Sequence, residues 1–266
     1  YFTVQPHTLL RQHMDYSHWY DRVKLSLKDI NNVQYVSCMN PTAGSFTISP
    51  RLQRHFSVLA ISFPNNEAIV TIYNSVLSQH LQYGNFQPPI QKLSLPVVNA
   101  TLAFHQRIAQ VFLPTAIRFH YNFNLRDLTN VFQGLLFSTP EAVKTPIEFA
   151  RLWIHELRRV YRDKLIDRAD MDTFDKLEVD QVQKSWEEIN LDEVMQEPIL
   201  FTHFSQGMGD PKYLPLADWN SLNKLLVDAL EQYNEMNAQM NLVLFEDAMS
   251  HIARINRILE APRGNA

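Results

Sequence analysis

The spacing of apolar residues separates a strand-like beginning of the chain from a longer helical part. A short helix is predicted at residues 4–14. Residues 32–40 and 54–64 predict two strands, and the second is apolar on both faces, as buried parallel strands are. This order of elements indicates an α/β sheet domain up to about residue 83. Because two strands do not complete such a sheet, further strands are expected before Tyr1.

A longer helix is predicted at residues 65–84, directly after the second strand-like run. Asn65 or Asn66 is placed to cap its start, and Gly84 is placed to end it. Its apolar face is expected to contain residues three or four positions apart, namely Ile69, Ile72 and Val76.

From about residue 95 the apolar residues recur with a helical period. Residues 124–137 predict a helix with four apolar side chains on one side: Leu125, Leu128, Phe132 and Leu135. A short strand is predicted at residues 197–204. Further helices are predicted at residues 96–113, 145–166, 171–186, 218–236 and 245–261.

Composition narrows the class of protein without naming a function. The chain has 266 residues, 45% of them hydrophobic, so it can form a substantial core. Its net charge of −4, with both signs interspersed, argues against a general nucleic-acid or anionic-membrane surface. One cysteine, Cys38, excludes an intrachain disulfide and suits a reducing compartment. The chain starts with Tyr1 rather than Met, and both ends are expected to continue in a longer protein.

Several familiar catalytic motifs are absent from the sequence. It contains neither a phosphate loop of the form G-x-x-x-x-G-K-[ST] nor a G-x-S-x-G elbow. The stretch "HELRR" at His155 begins like a zinc-protease helix but lacks the second histidine at the required spacing. The ten histidines are otherwise scattered, so no metal site is expected.

Two polar features near the predicted strands suit the binding of an anion. Asn40 ends the first predicted strand, where its amide is placed to hold a phosphate oxygen or a water, or to form a turn with Pro41. Arg51 and Arg54 stand three residues apart after Pro50, so a short helix would place both on one face. Arginine binds phosphate oxygens through its planar fork, but a solvated pair on a loop is the alternative.

A third feature is Arg126, in the first turn of the helix predicted from residue 124. Asn122 or Asn124 is placed to cap this helix. A positive charge there opposes the helix dipole, which a functional contact with an anion would explain. The alternative is an ordinary salt bridge with Asp127 or Glu156.

The order of these features resembles that of AAA+ ATPases, which have a first sensor, an arginine finger and then a second sensor. Longer stretches are more specific, among them "MNPTAGSFTISPRLQRHFSVLAISFP", "FHYNFNLRDLTNVFQGLL" and "NLVLFEDAMSHIARINRILEAPRGNA". These resemble dynein heavy chains of the axonemal kind, with the outer-arm β type as the nearest kind. The resemblance runs from end to end.

The resemblance implies a partial P-loop-type α/β fold from the third AAA+ module. Residues 1–113 would be the later half of its large subdomain, a parallel sheet with helices. Residues 114–218 would be its helical small (lid) subdomain, and residues 219–266 the lead-in to the fourth module. The Walker B motif is expected before Tyr1 and the fourth module's phosphate loop after Ala266. The isolated chain is therefore expected to lack ATPase activity.

The resemblance also implies a role for each candidate residue. Asn40 would be the first sensor and Arg126 the second sensor at the third module's own nucleotide. Arg51 and Arg54 would act as an arginine finger on the neighbouring second module, with Arg54 as the favoured phosphate contact. The cofactor would be ATP or ADP with Mg²⁺, whose phosphate loop and magnesium-binding acid lie outside these 266 residues.

The parent would be an ATP-driven, minus-end-directed microtubule motor of the cytoplasm and cytoskeleton, in the axoneme of cilia and flagella. Its partners would be neighbouring AAA+ modules, microtubules, and intermediate and light chains, with no nucleic acid or membrane. A non-catalytic helical scaffold or adaptor is the alternative. In that case residues 146–260 would form a docking surface.

Overall fold

The computed structural model describes residues 6–39, 48–186, 190–207 and 211–265. It divides into two compact units, residues 1–63 and 64–266. The helices are α1 His7–Tyr16, α2 Pro50–Gln53, α3 Asn66–Tyr83, α4 Pro88–Gln91, α5 Ser94–Val111, α6 Leu125–Leu135, α7 Pro146–Val160, α8 Arg168–Ser185, α9 Leu191–Val194, α10 Trp219–Met236 and α11 Glu246–Glu260. The strands are β1 His18–Tyr20, β2 Leu27–Asp29, β3 Phe201–Thr202 and β4 Leu214–Pro215. A 3₁₀ turn at Arg162–Lys164 follows α7.

The first unit is built around α1 and a hairpin that the apolar pattern did not predict. Strands β1 and β2 pair antiparallel. The His13 side chain is buried, with Nε2 2.9 Å from the Ile30 carbonyl oxygen and Nδ1 2.9 Å from the Tyr35 hydroxyl. Because a carbonyl only accepts, Nε2 donates to Ile30. These two contacts tie α1 to the chain that follows the hairpin.

The two predicted strands at residues 32–40 and 54–64 do not form among the described residues. Residues 32–39 and 54–64 pair with no strand, and the predicted parallel sheet is absent from the described chain, where both small sheets are antiparallel. Leu59 and Ile61 are 84% and 92% exposed. A strand satisfies its backbone groups only through a neighbouring strand, and no described segment supplies one. The apolar pattern of these segments therefore does not by itself produce a ladder among the described residues.

The second unit begins with the predicted helix α3, whose buried face differs from the prediction. Asn65 caps the helix by accepting a hydrogen bond from the Ala68 backbone N–H at 2.9 Å. Ile72 and Val76 are exposed by 54% and 44%, so their assignment to the apolar face was wrong. The buried row consists instead of residues four positions apart, Ile69, Tyr73, Leu77 and Leu81, and α3 packs on α5 and α6.

The main core lies among α3, α5, α6, α7 and α8. Tyr73 stacks on Phe132 of α6 at 4.4 Å between ring centroids. The Trp153 indole of α7 is fully buried and donates a 2.8 Å hydrogen bond to the Thr101 hydroxyl of α5. The prediction for α6 is confirmed, since Leu128, Phe132 and Leu135 are buried and Leu125 packs against the same core.

A smaller apolar cluster joins the predicted helices α10 and α11. Leu222 and Leu226 of α10 pack with Met249 and Ala253 of α11. The short strand predicted at residues 197–204 is present as β3, which pairs antiparallel with β4. Across the described residues, none of the helices combines the length and the apolar character needed to cross a membrane.

Candidate functional site

The start of α6 places Arg126 at an exposed position. Asn124 caps the helix, and its side-chain oxygen accepts from the Arg126 backbone N–H at 2.9 Å. The Asp127 carboxylate accepts from the Asn124 backbone N–H at 3.0 Å and forms an ion pair with Lys164. This reciprocal arrangement is a capping box, which fixes the first turn of the helix. The Arg126 side chain lies outside that network.

Arg126 makes no ion pair with any described residue, and the two proposed partners are engaged elsewhere. Asp127 is paired with Lys164, and Glu156 is paired with Arg257. The explanation of Arg126 as an ordinary salt bridge with Asp127 or Glu156 was therefore wrong. An unpaired cation at the positive end of a helix is unfavourable by itself, and a bound anion would reverse that.

Two polar side chains interact electrostatically with Asp127, at the start of α6. His105 Nδ1 lies 2.9 Å from the Tyr161 hydroxyl, and both side chains are buried. Burial lowers the pKa of His105, although the Asp127 carboxylate opposes this. Burial also raises the pKa of Tyr161 well above its ordinary value, with a further contribution from Asp127. The imidazole and the phenol therefore both stay uncharged at neutral pH.

Arg51 and Arg54 lie on the short helix α2 and at its C-terminal cap, in the first unit. The Arg54 Nη2 atom is 2.7 Å from Asp15 Oδ1, which is also 3.0 Å from His55 Nε2. Arg51 is exposed and forms no ion pair within the described part of the chain. The Arg54 side chain is still 63% exposed, and an exposed ion pair contributes only about 0–1 kcal/mol. Both guanidinium groups thus remain accessible, and the preference for Arg54 stays a prediction.

The remaining candidate, Asn40, lies outside the described residues. Arg51 and Arg54 belong to the first unit and Arg126 to the second. Within the described residues, no group of three or more His, Cys, Asp or Glu side chains is arranged to hold a metal ion.

A buried carboxylate cluster in the second unit was missed by the sequence interpretation. Glu156 of α7 is fully buried, accepts a 2.6 Å hydrogen bond from the Tyr213 hydroxyl and pairs with Arg257 of α11. Gly134 of α6 leaves room for it, because a Cβ at that position would overlap the carboxylate. Burial raises the pKa of Tyr213 well above its ordinary value, and the Glu156 charge adds to this. The cluster thus joins three helices through one satisfied charge.

A signal for this cluster was present in the sequence. Glu156 stands between Trp153 and Val160 on the apolar face of α7, where a carboxylate is buried and requires a cation. The identity of that cation, Arg257, is not readable from the sequence because the two residues are 101 positions apart.

Two protein-family models match separate parts of the chain. A model described as "P-loop containing dynein motor region" matches residues 1–64. A model described as "AAA+ lid domain" matches residues 97–197, which contain α6, α7 and α8. The first model covers Arg51 and Arg54, and the second covers Arg126.

Curated relatives match all of the chain. The sequence is 62% identical over 266 residues to "Dynein beta chain, ciliary" of Tripneustes gratilla and 60% identical over 266 residues to "Dynein axonemal heavy chain 17" of Homo sapiens. It is 47% identical over 270 residues to "Dynein alpha chain, flagellar outer arm" of Chlamydomonas reinhardtii. Each alignment covers 100% of this chain and 6% of the relative's own length. The chain belongs to the dynein heavy-chain family and matches axonemal members within their AAA+ motor region.

Proposed function

We propose that the chain forms the later part of the third AAA+ module in the ring of a dynein heavy chain. Residues 1–113 contribute to its large subdomain, residues 114–218 form its lid, and residues 219–266 lead into the fourth module. The two family matches, to a dynein motor region and then to an AAA+ lid, support this order.

The whole protein in this proposal is an ATP-driven motor that moves toward microtubule minus ends. It works in the ciliary or flagellar axoneme, with the neighbouring AAA+ modules, microtubules, and intermediate and light chains as partners. The ciliary and flagellar names of the relatives support the location. The third module has a regulatory role, in which its nucleotide biases rigid-body movements of the subdomains that gate the first module.

The observation that carries the site assignment is the unpaired, exposed Arg126 in the first turn of α6. A second sensor must reach from the lid to a nucleotide phosphate, and a guanidinium without an internal partner is free to do so. When bound, ATP or ADP with Mg²⁺ supplies the phosphoryl chemistry. Arg126 holds a phosphate oxygen and thereby couples the lid to the nucleotide.

Asn40 acts as the first sensor, and Arg51 and Arg54 act on the nucleotide of the second module. The accessibility of both arginines on and beside α2 supports the second assignment. In the full heavy chain, residues 32–40 and 54–64 are strands of the large-subdomain sheet. The exposed apolar side chains of residues 58–63 support this, because burial in a sheet would remove them from water.

The test of the second sensor is Arg126→Ala in the full-length heavy chain. We expect about tenfold weaker nucleotide binding at the third module, the loss typical of one charge-assisted hydrogen bond. Arg168→Ala is the matched control, because Arg168 is also exposed in the first turn of a helix. Equal affinities in Arg126→Ala and the unmodified protein would overturn the assignment.

The trans assignment is tested by replacing both Arg51 and Arg54 with alanine in the same full-length protein. We expect looser nucleotide binding at the second module and unchanged binding at the third. Arg22→Ala, at an exposed position of the same unit, serves as the control. A change confined to the third module would contradict the assignment.

A further inference from the structure

A cavity of about 260 Å³ lies in the second unit among α7, α8, the start of α10 and α11. Four arginines line it: Arg158, Arg159, Arg162 and Arg254. Ser250 of α11 adds a hydroxyl group to the wall. None of the residues assigned above to nucleotide sensing takes part in it.

Two of the four arginines are paired with carboxylates. Arg158 donates to Glu178 through Nε at 3.1 Å and Nη2 at 2.9 Å, and to Glu197 through Nη1 at 2.7 Å. Arg162 forms a fork with Asp175 through Nε and Nη2, at 2.8 and 3.1 Å. Asp175 and Glu197 also line the cavity.

The other two arginines share a single carboxylate. Arg159 Nε lies 3.3 Å from Asp163 Oδ2, and Arg254 Nη2 lies 3.4 Å from Asp163 Oδ1. Neither approach is a close, charge-assisted hydrogen bond of the usual 2.7–2.9 Å or so. Asp163 therefore neutralises only one of these two arginines, whereas Arg158 and Arg162 face three carboxylates, so the charges around the cavity sum to zero.

Three buried N–H donor atoms of Arg159 and Arg254 make no hydrogen bond within the described chain. They are Nε and Nη1 of Arg159 and Nε of Arg254. The Arg159 side chain is 9% exposed. Burial lowers the pKa of Arg159, and the charge of Arg254 lowers it further, although Asp163 opposes this. A buried cation whose N–H donors lack acceptors is unfavourable. An anion bound in the cavity would supply both an opposite charge and hydrogen-bond acceptors.

We propose that this cavity binds a phosphate group, held by Arg159 and Arg254. The planar guanidinium fork suits phosphate oxygens, and the unmet donors are the groups that such a ligand requires. The volume is below the range of about 300–1,000 Å³ typical of pockets for drug-sized ligands. It therefore favours orthophosphate or a small phosphate monoester over a nucleotide.

The test is calorimetric titration of the full chain with orthophosphate and, separately, with glycerol phosphate, at constant ionic strength set with chloride. We expect saturable binding that is about tenfold weaker in Arg254→Gln, because one charged donor pair is lost. The saturable binding of either probe supports the site, and the tighter of the two identifies the source of the phosphate.

Arg107→Gln is the matched control. Its side chain is 32% exposed, as that of Arg254 is 31% exposed, and it pairs with Asp180 away from the cavity. Arg254→Gln also guards against a folding artefact, because Arg254 is less buried than Arg159 and its replacement disturbs the core less. The proposal is overturned if neither probe binds saturably, or if Arg254→Gln and Arg107→Gln bind phosphate equally.

Discussion

Residues 6–63 and residues 64–265 differ in how much of their structure is determined by nearby sequence. In the second region, long helices bury Leu77, Leu81 and Trp153 almost completely. In the first region, Leu59 and Ile61 are largely exposed, in a segment that pairs with no described strand. A helix satisfies its own backbone, whereas a strand depends on distant segments. Substitutions in each region and a change of pH test this contrast.

The largest effect is expected when the buried ion pair of the helical region is broken. Arg257→Met leaves Glu156 buried without its cation, which typically costs about 3–5 kcal/mol of the free energy of unfolding. Urea denaturation of the chain measures it. The control, Arg107→Met, removes a half-exposed pair with Asp180 and should cost about 1 kcal/mol or less. Equal losses in the two variants would show that the Glu156 cluster is not a stabilising contact.

Two leucine-to-alanine substitutions compare the regions directly. Leu81→Ala opens a cavity beneath α3, where the side chain is fully buried, and should cost about 2–5 kcal/mol. Leu59→Ala should change the stability of the chain by about 0.5 kcal/mol or less, because this side chain is 84% exposed. Both are measured by urea denaturation. A large loss in Leu59→Ala would mean that the first region is packed more tightly than the structure indicates.

The stability of the helical region should fall as the pH drops below about 6.5, the ordinary pKa of histidine. Burial holds the pKa of His155 well below that value, so the imidazole stays neutral in the folded chain. The unfolded chain then binds the extra proton, which costs up to about 1.4 kcal/mol per pH unit. His155→Gln should flatten this slope between pH 6.5 and 5, measured by denaturation at each pH. Parallel slopes would contradict the neutral assignment.

The smallest effect concerns a helix cap. The Thr145 hydroxyl accepts from the Glu148 backbone N–H at 3.2 Å and starts α7. Thr145→Ala should therefore cost about 1 kcal/mol in thermal or urea unfolding. Thr173→Ala in α8 is the control, because its hydroxyl donates to the Ala169 carbonyl within the helix and is exposed. If Thr145→Ala and Thr173→Ala are equally stable, the cap does not contribute to the free energy of unfolding.

The sequence predicted the features that depend on neighbours within a helical turn. The cap of α3 was narrowed to Asn65 or Asn66 and that of α6 to Asn122 or Asn124, and the structure has Asn65 and Asn124 as the caps. The buried face of α3 was misjudged because periodicity alone placed Ile72 inward, whereas Tyr73 is the buried residue and stacks on Phe132 of α6. Two rows of α3 are similarly apolar, and packing against the neighbouring helices determines which of them is buried.

Features that join distant residues were beyond such patterns. The pairing of Glu156 with Arg257 and the sharing of Asp163 by two arginines depend on how α7 and α11 pack. The two predicted strands failed for the same reason, since a ladder requires a partner that the local sequence does not specify.

Amide hydrogen exchange at residues 54–64 tests most directly whether this segment is a strand completed by the rest of the heavy chain. It is measured in the chain alone and in the full-length heavy chain, with α5 as the internal reference. We expect rapid exchange of residues 54–64 in the chain alone and strong protection in the heavy chain, while α5 is protected in both. Equally rapid exchange of residues 54–64 in both proteins would contradict it.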